Sequence, residues 1–443
     1  MAGLLSSKYL STISQSTWFR FFGRHTFFCI YNIILGFLLI GLVQSSGTDY
    51  LFYFALYVLA FNGFYLLLSR LVKQRLSKLI KNIHPLKSRL VPNLLLVIGC
   101  VGSFYHLWQF EGLPFVTAIF ENNYDYLVEF RRSLTSDYPG YLAYFMGFSL
   151  KAMFPSLLFY YAFQEKRRLW IVYAIAVFYA INFLQKSLIL PISLPLLILF
   201  LSQKKWKNVV LVLAIIVLFI FSMSWAMNPS VKAKWKGDSI SKVEEVKANK
   251  HEVAIDSEKK KELLARIEKR KVEGYHKTSE SVDRKFPLIY SIGRRVFYTP
   301  GMMVSEWFRC IPEEKPFIGV QGYSFLSPIT QKPFIKYSKE LYPNIHPEWY
   351  LRGYRGNVNV ANFMYDYAAF GWKGLILSGF VLAMIFVFIE SLFTDLMIKL
   401  SFNLYYIFFL SSSALGITLF SGGWGLMILL YFLMKDFLKR VKV

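Results

Sequence analysis

Two stretches frame one long polar interval of the chain: residues 291–307 read SIGRRVFYTPGMMVSEW, and residues 356–372 read GNVNVANFMYDYAAFGW. The residues between them are rich in Pro, Tyr and Gly, and long apolar segments lie on both sides. The interval is too polar to cross a bilayer and too aromatic to be a disordered linker. We therefore expect this interval to carry the activity of a membrane protein.

The composition of the whole chain supports this interpretation. Of its 443 residues, 55% are hydrophobic and only 18% are charged, whereas about a quarter are charged in a typical soluble protein. The formal charge is +24, but many Lys and Arg flank apolar segments, as the positive-inside rule requires. The expected partner is a lipid bilayer and not a nucleic acid, because no nucleic-acid-binding motif is present.

The apolar segments predict an all-α polytopic membrane protein with about ten transmembrane helices. Their expected bounds are 26–44, 50–69, 91–110, 141–163, 170–185, 188–201, 209–227, 374–393, 402–420 and 424–434. Only Lys186 and Ser187 separate the fifth and sixth segments, which predicts either a tight hairpin or a broken, partly re-entrant pair. The first segment is expected to remain as an anchor, since no small-residue cleavage site follows it.

Ten spans place both termini on the same side of the membrane. The basic short segments then all fall on the cytoplasmic side, and the long loop between spans seven and eight falls outside. We divide the chain into an N-terminal membrane bundle (1–227), a large outer loop (228–371) and a C-terminal membrane bundle (372–443). Within the loop, 239–273 alternates Lys and Glu like a charged surface helix or helical hairpin, and 291–371 is the expected active-site loop. The charged insertion could be a lid, a spacer, a partner contact or a solvated insertion.

The outer face collects cations near the membrane, and arginine suits phosphate and pyrophosphate because its donor fork matches their oxygens. Nearby Tyr and Trp side chains could stack on and bind sugar rings. A glycan carried on a lipid pyrophosphate is therefore the substrate type that this face would fit. The candidate binding residues are Arg131, Lys186, Arg294, Arg295, Arg309, Arg352 and Arg355.

Glycosyl transfer also needs a base for the acceptor hydroxyl. Asp366 and Glu306 are the leading candidates, with Glu348 and His346 as further ones. The sequence shows no metal-ligand spacing and no nucleotide-binding motif, so neither a metal nor another cofactor is expected.

Four stretches together resemble a known family. SIGRRVFYTPGMMVSEWF, NVNVANFMYDYAAFGWKG, FLQKSLILPISLPLLILFLSQKK and the polar interval 111–140 that contains Arg131 are similar to motifs of bacterial oligosaccharide repeat unit polymerases, which polymerise O-antigen and capsule. The resemblance implies a GT-C-like helical glycosyltransferase of the bacterial cytoplasmic membrane. Such an enzyme transfers a growing glycan from undecaprenyl pyrophosphate to a new lipid-linked repeat unit at the outer face of that membrane.

The same resemblance implies roles for individual residues. Arg131 and Arg295 would contact pyrophosphate or glycan, Lys186 a second phosphate, and Asp366 would be a base, while Asn362 is a further candidate for substrate binding. A polysaccharide chain-length regulator is a candidate protein partner. Two alternatives remain open: an O-antigen ligase, for which His346 would be the expected catalytic histidine, and a flippase or transporter of lipid-linked oligosaccharide.

Overall fold

A computed structural model describes residues 17–81, 90–110, 112–136, 139–164, 166–228, 232, 257–272, 293–351, 353–393 and 395–439. The described chain is helical and contains no β-strand. Its helices are α1 Thr17–Arg24, α2 Thr26–Ser46, α3 Leu51–Leu71, α4 Lys73–Lys81, α5 Leu90–Trp108, α6 Pro114–Phe120, α7 Tyr124–Ser136, α8 Gly140–Phe163, α9 Lys166–Ile181, α10 Ile189–Ser202, α11 Trp206–Ala226, α12 Ser257–Val272, α13 Thr299–Cys310, α14 Ser327–Thr330, α15 Tyr337–Glu340, α16 Tyr342–Ile345, α17 Pro347–Leu351, α18 Asn362–Phe370, α19 Trp372–Leu392, α20 Leu396–Phe409, α21 Leu415–Leu419 and α22 Trp424–Lys439.

Seven helical segments in the described chain are long and apolar enough to cross a membrane. They are α2, α3, α5, α8, α11, α19 and the segment Leu415–Met434, which holds α21 and most of α22. A helix of about 20 apolar residues spans the hydrocarbon core of a bilayer. The protein therefore has the helices of an α-helical polytopic membrane protein, as the sequence predicts.

The spans predicted at 26–44, 50–69, 91–110, 141–163, 209–227 and 374–393 each coincide with one of these long helices within a few residues. The fifth and sixth predicted spans are the shorter helices α9 and α10. Residues 182–188, with a 3-10 turn at Lys186–Leu188, connect them. The two helices contact each other, since Tyr173 on α9 hydrogen-bonds Ser193 on α10 with the hydroxyls 2.7 Å apart. The total of about ten spans stays a prediction.

The prediction of one continuous span over 402–420 is wrong. Helix α20 ends at Phe409, residues 410–414 are not helical, and α21 begins at Leu415. The Ser411 hydroxyl donates to the carbonyl of Phe408 at 2.7 Å. Serine side chains that bond to backbone carbonyls in this way compete with continuation of a helix.

The chain forms two compact units that interleave along the sequence. The division into two membrane bundles and an outer loop stays a prediction. Unit 1 comprises 1–80, 250–394 and 407–415, and unit 2 comprises 81–249, 395–406 and 416–443. The first membrane helices and most of the large loop thus belong to the same unit.

In unit 1, α19 packs along α3, and α13 packs along α2. Gly379 permits the first contact, because a Cβ atom there would lie 2.8 Å from the backbone nitrogen of Phe61. The core between these helices is aromatic and includes the buried rings of Tyr31, Phe61 and Phe386.

In unit 2, α8 contains a π-helical turn at Ser149–Met153. The hydroxyl of Tyr406 donates to the carbonyl of Lys151 in that turn. Trp424 Nε1 donates to Asn403 Oδ1 at 2.8 Å, which joins α22 to α20. These bonds satisfy buried polar groups that would otherwise be costly among apolar helices.

Candidate functional site

Helix α13 lies against α2 in a parallel register. Ring centroids of Phe37 and Phe297 are 4.6 Å apart, and the hydroxyls of Ser45 and Ser305 are 2.8 Å apart. Between these pairs, Gly301 brings the backbones together, since a Cβ atom there would lie only 2.2 Å from the carbonyl oxygen of Leu38. Gly301 and Ser305 are small residues four positions apart, a spacing that allows two helices to pack this closely.

This register fixes the level of the two leading arginines. Arg294 and Arg295 begin a π-helical turn, Arg294–Tyr298, that leads into α13, and both are exposed. They precede Phe297, whose partner Phe37 lies near the middle of α2. The backbone of both residues therefore lies beside the middle of an apolar helix and not beyond its end. Charged side chains at such a level are costly and mark functional sites by default.

Helix α18 begins at a buried polar cluster. Asn362 is 1% exposed, and its backbone N–H donates to the carbonyl of Leu410 at 2.9 Å. Tyr31 donates to Asn362 Oδ1 at 2.6 Å, and the Tyr31 and Tyr57 hydroxyls are 2.8 Å apart. These bonds hold the beginning of α18 against α2 and α3, so Asn362 has an evident structural role beside the predicted one.

One turn further along α18 lies the leading candidate base. Asp366 Oδ1 accepts a 2.5 Å hydrogen bond from the hydroxyl of Tyr323. Burial raises the pKa of the Asp366 carboxyl above its ordinary value, and the neighbouring hydroxyls of Ser378 and Tyr323 oppose that shift. In this arrangement Asp366 can accept a proton at a pH closer to neutrality than an exposed aspartate.

The position of Asp366 depends on a tight turn between α18 and α19. Gly371 has φ +62°, a left-handed conformation that favours glycine. A Cβ atom at Gly374 would lie 1.9 Å from the carbonyl oxygen of Asp366. The glycines of the FGWKG sequence are therefore required for α18 to lie closely against α19.

Glu306 and Arg309, both predicted site residues, belong to a charged network. Glu306 is 3% exposed, and its Oε2 lies 2.9 Å from Arg309 Nη2. The other end of the Arg309 guanidinium pairs with Glu314 Oε1, and Glu314 Oε2 accepts a 2.6 Å hydrogen bond from Asn344 Nδ2. The network joins α13 to α16, and the carboxylate of Glu306 is occupied within it.

Beside this network lies an open groove of about 390 Å³. Arg355 is one of its lining residues, and its guanidinium lies 3.8 Å from the centroid of the Tyr350 ring. Arg355 also donates to the carbonyl of Tyr350 at 3.1 Å. Arg355 is therefore held in place at the groove by a cation–π contact and a backbone hydrogen bond.

The remaining predicted residues lie elsewhere. Arg131 on α7 and Lys186, in the turn between α9 and α10, are exposed residues of unit 2. Arg352 lies outside the described residues, as do 239–256 and 273 of the predicted charged insertion. His346 stands between α16 and α17, with its ring centroid 5.4 Å from that of Tyr342. Glu348 lies on α17, is half-buried and remains a further candidate.

Sequence reasoning missed Tyr323, Glu314 and Glu390. Apart from Arg309, which is five residues before Glu314, their partners lie at least 30 residues away, so no local motif marks the three. Glu390 alone carries a usable signal, because it is an acidic residue near the end of a long apolar helix. Among the described residues, no group of three or more His, Cys, Asp and Glu could hold a metal ion.

Unit 1 thus contains three candidate elements of a functional site: two exposed arginines beside an apolar helix, a partly buried carboxylate bonded to a tyrosine, and a polar groove. No family model, no curated protein and no solved structure shows a significant match to the chain.

Proposed function

We propose that this protein is a membrane glycosyltransferase that polymerises lipid-linked oligosaccharide repeat units of a surface polysaccharide. The observation that carries the proposal is the pair Arg294 and Arg295, exposed beside the middle of the apolar helix α2. Two exposed arginines on consecutive residues of this turn suit the pyrophosphate of a lipid carrier whose tail stays in the bilayer. The proposed donor is a glycan on undecaprenyl pyrophosphate.

The proposed reaction uses the residues of unit 1 in two roles. An acceptor sugar hydroxyl attacks the anomeric carbon of the donor glycan and forms the new glycosidic bond. The bond between that carbon and the pyrophosphate oxygen breaks, and the lipid pyrophosphate leaves as an anion that Arg294 and Arg295 then bind. The hydroxyl proton passes to the Asp366 carboxylate, which Tyr323 holds in position through Oδ1. Tyr365 and Tyr367, on either side of Asp366, contact Trp307 and Phe308, so the base lies toward the end of α13 opposite to these arginines.

The raised pKa of Asp366 supports its choice as the base. Glu306, the other predicted base, is less suited, because its carboxylate is 3% exposed and already paired with Arg309. In the proposal Glu306 supports the loop and does not touch the reacting atoms.

The proposed location is the bacterial cytoplasmic membrane, with the segment 311–351 that follows α13 on its outer side and both termini in the cytoplasm. A positive-inside count of the short loops supports this orientation. Cysteine labelling from outside intact cells tests it, in a background from which Cys29, Cys100 and Cys310 have been removed. Glu313→Cys and Gln74→Cys both replace exposed residues. We expect the first to be labelled and the second to be protected, and the reverse pattern would overturn the orientation.

A flippase of lipid-linked oligosaccharide is the second candidate. The non-helical segment 410–414, bonded through the Leu410 carbonyl to the first residue of α18, favours it, because interrupted helices at buried polar sites are common in transporters. An O-antigen ligase with His346 as its catalytic residue would share the proposed donor but would not lengthen the glycan.

Deletion of the gene in its host, followed by electrophoresis of the surface polysaccharide, separates these functions. A polymerase deletion leaves single repeat units on the lipid and on the cell surface, whereas long chains in the deletion strain contradict the proposal. Loss of a flippase keeps the lipid-linked units on the cytoplasmic side. Loss of a ligase leaves long chains on the lipid carrier.

Complementation of the deletion strain with Arg295→Ala tests whether this arginine is needed for chain elongation. We expect chain elongation to fall about 10- to 100-fold, the effect of losing one or two charge-assisted hydrogen bonds. Arg75→Ala, which removes an exposed arginine of α4, is the matched control and should restore long chains. Equal elongation by both variants, at equal protein level in the membrane, removes Arg295 from the site.

A further inference from the structure

Helix α12 is the described part of the charged insertion whose role the sequence leaves open. Its sequence, SEKKKELLARIEKRKV, is strongly charged, yet Leu263 is only 3% exposed. The helix packs against α17 in the same unit. A simply solvated helix would leave such a leucine exposed, so α12 is docked on the loop through this side.

The docked helix forms one wall of the groove of about 390 Å³. Glu262 and Leu263 line the groove from α12, and Lys339 and Glu340 line it from α15. Arg355, stacked on Tyr350, closes another side. The groove is within the size range of small-molecule binding sites in proteins.

The groove has a fixed polar side. Glu314 lines it, and both of its carboxylate oxygens are engaged, one by Arg309 and the other by Asn344. Arg309 is held in turn by the buried Glu306. Such a connected network keeps its members in one geometry, which reduces the entropy lost when a ligand binds.

The charges that line the groove balance. Three cations, Lys315, Lys339 and Arg355, face three carboxylates, Glu262, Glu314 and Glu340. A balanced set does not favour a polyanion or a free phosphate, which a surplus of positive charge would attract. An apolar lipid tail would remove water from these charged groups and offer them no hydrogen bonds. Sugar hydroxyls, which both donate and accept hydrogen bonds, suit neighbouring carboxylates and ammonium groups.

We propose that this groove binds the glycan part of the lipid-linked oligosaccharide, with α12 as the wall that completes it. This inference rests on the proposed function and assigns the sugar chain, and not the pyrophosphate, to the groove. Glu262 and Glu340 accept hydrogen bonds from sugar hydroxyls, and Lys339 donates to sugar oxygens. The charged insertion is then a determinant of which repeat unit is bound.

Binding is measured on the full-length protein in nanodiscs. The probe is the oligosaccharide of one repeat unit, released by mild acid from the host's lipid-linked pool and labelled with a fluorophore at its reducing end. We expect anisotropy to show saturable binding to the wild type. The double variant Glu262→Gln/Glu340→Gln should bind the probe at least about ten-fold more weakly, because carboxylate hydrogen bonds are stronger than amide ones.

The double variant Glu268→Gln/Glu313→Gln is the matched control. It removes one exposed carboxylate from α12 and one from the loop after α13, neither of which lines the groove. We expect wild-type affinity. If this control weakens binding as much as the groove variant, or if the groove variant binds like the wild type, the assignment of the glycan to this groove is wrong.

Two further measurements test the nature of the ligand and the role of α12. Unlabelled inorganic pyrophosphate should not displace the probe, and efficient displacement would assign the groove to phosphate. Leu263→Asp, which removes the buried anchor of α12, should weaken probe binding and expose α12 to trypsin. Unchanged affinity with α12 cleaved would show that α12 is not a wall of the site.

The two proposals fail in different ways. If the wild type elongates chains while groove variants bind the probe normally, only the glycan groove is refuted. If the probe binds through the groove but deletion of the gene leaves long surface chains, the groove stands and polymerisation is refuted.

Discussion

Unit 1 contains two carboxylates on consecutive helices that differ in their partners. Glu390, near the end of α19, has a fully buried side chain. It accepts hydrogen bonds from the Phe27 backbone N–H at 2.7 Å, the Tyr65 hydroxyl at 2.5 Å and the Lys73 ammonium at 2.6 Å. Asp366, on α18, is half-buried and accepts a hydrogen bond at Oδ1 from the hydroxyl of Tyr323.

These partners indicate a structural role for Glu390 and make Asp366 the better candidate for proton transfer. The donors around Glu390 include a cation and connect α2, α3 and α4 to α19, so its role is structural. Asp366 has hydroxyl neighbours in place of a cation, and burial raises its pKa. A general base needs this combination of firm positioning and incomplete stabilisation of its charge.

Asp366→Asn is the variant with the largest expected effect on activity. We expect chain elongation to fall about 100-fold or more, because general-base catalysis contributes about 10²- to 10⁴-fold. The amide keeps the shape of the carboxylate, so membrane insertion and thermal unfolding should change little. The measurement is the rate of chain lengthening with purified protein and lipid-linked repeat units. Glu313→Gln is the matched control, and similar rates for both variants would refute the role of Asp366.

Glu390→Ala should lower the stability of the protein and leave elongation nearly unchanged, the opposite of Asp366→Asn. Removal of one partner of a buried ion pair leaves an uncompensated charge on Lys73 and costs about 3–5 kcal/mol. Thermal unfolding of the detergent-solubilised protein should shift downward, while elongation per folded molecule stays near wild type. The double variant Lys73→Met/Glu390→Leu should recover part of the stability. A stable Glu390→Ala protein that has lost elongation would reverse the comparison.

Glu306→Gln tests whether Glu306 has a structural role, as Glu390 does, or a catalytic role, as proposed for Asp366. Its pairing with Arg309 predicts a loss of stability of about 1.5–3 kcal/mol, the value of a hydrogen bond to a charged group. Elongation per folded molecule should be retained. A catalytic loss comparable to that of Asp366→Asn, without a change in unfolding, would make Glu306 a candidate base again.

The long apolar helices could be predicted from the sequence because a run of about 20 apolar residues has few other stable structures in a membrane. The break at 410–414 was missed because FNLYYIFFLSSSALGITLF is apolar apart from Asn403, Thr418 and three adjacent serines. What interrupts it is local bonding by Ser411 and a tertiary bond from Asn362 to Leu410. Only the first of these leaves a trace in the local sequence.

The candidate site was predictable in its residue types but not in its contacts. The pairing of Asp366 with Tyr323 and of Glu314 with Asn344 joins positions far apart in the chain. Such pairs have no periodicity or spacing that a single sequence could reveal. The docking of α12 depends on one buried leucine, Leu263, in an otherwise charged helix. Its pattern is therefore that of a solvated helix, and its place at the groove comes from the fold.

Tyr323→Phe has the smallest expected effect on elongation. It tests directly how Asp366 differs from Glu390. The Tyr323 hydroxyl favours the charged form of Asp366, so its removal should raise the pKa of that carboxyl further. The base must be deprotonated to act, and elongation therefore falls as pH decreases through this pKa. This loss of rate is the acid limb of the pH–rate profile. Burial of Asp366 already places it at a higher pH than an ordinary aspartate would.

In Tyr323→Phe the acid limb should move to higher pH, because the variant loses a hydrogen bond that favours the charged form of Asp366. The rate well above the limb should change far less than in Asp366→Asn. Tyr354→Phe, another tyrosine of the loop, is the control and should leave the profile in place. A limb that stays fixed in Tyr323→Phe would mean that the group titrating in the rate profile is not Asp366, because Tyr323 is hydrogen-bonded to that carboxylate.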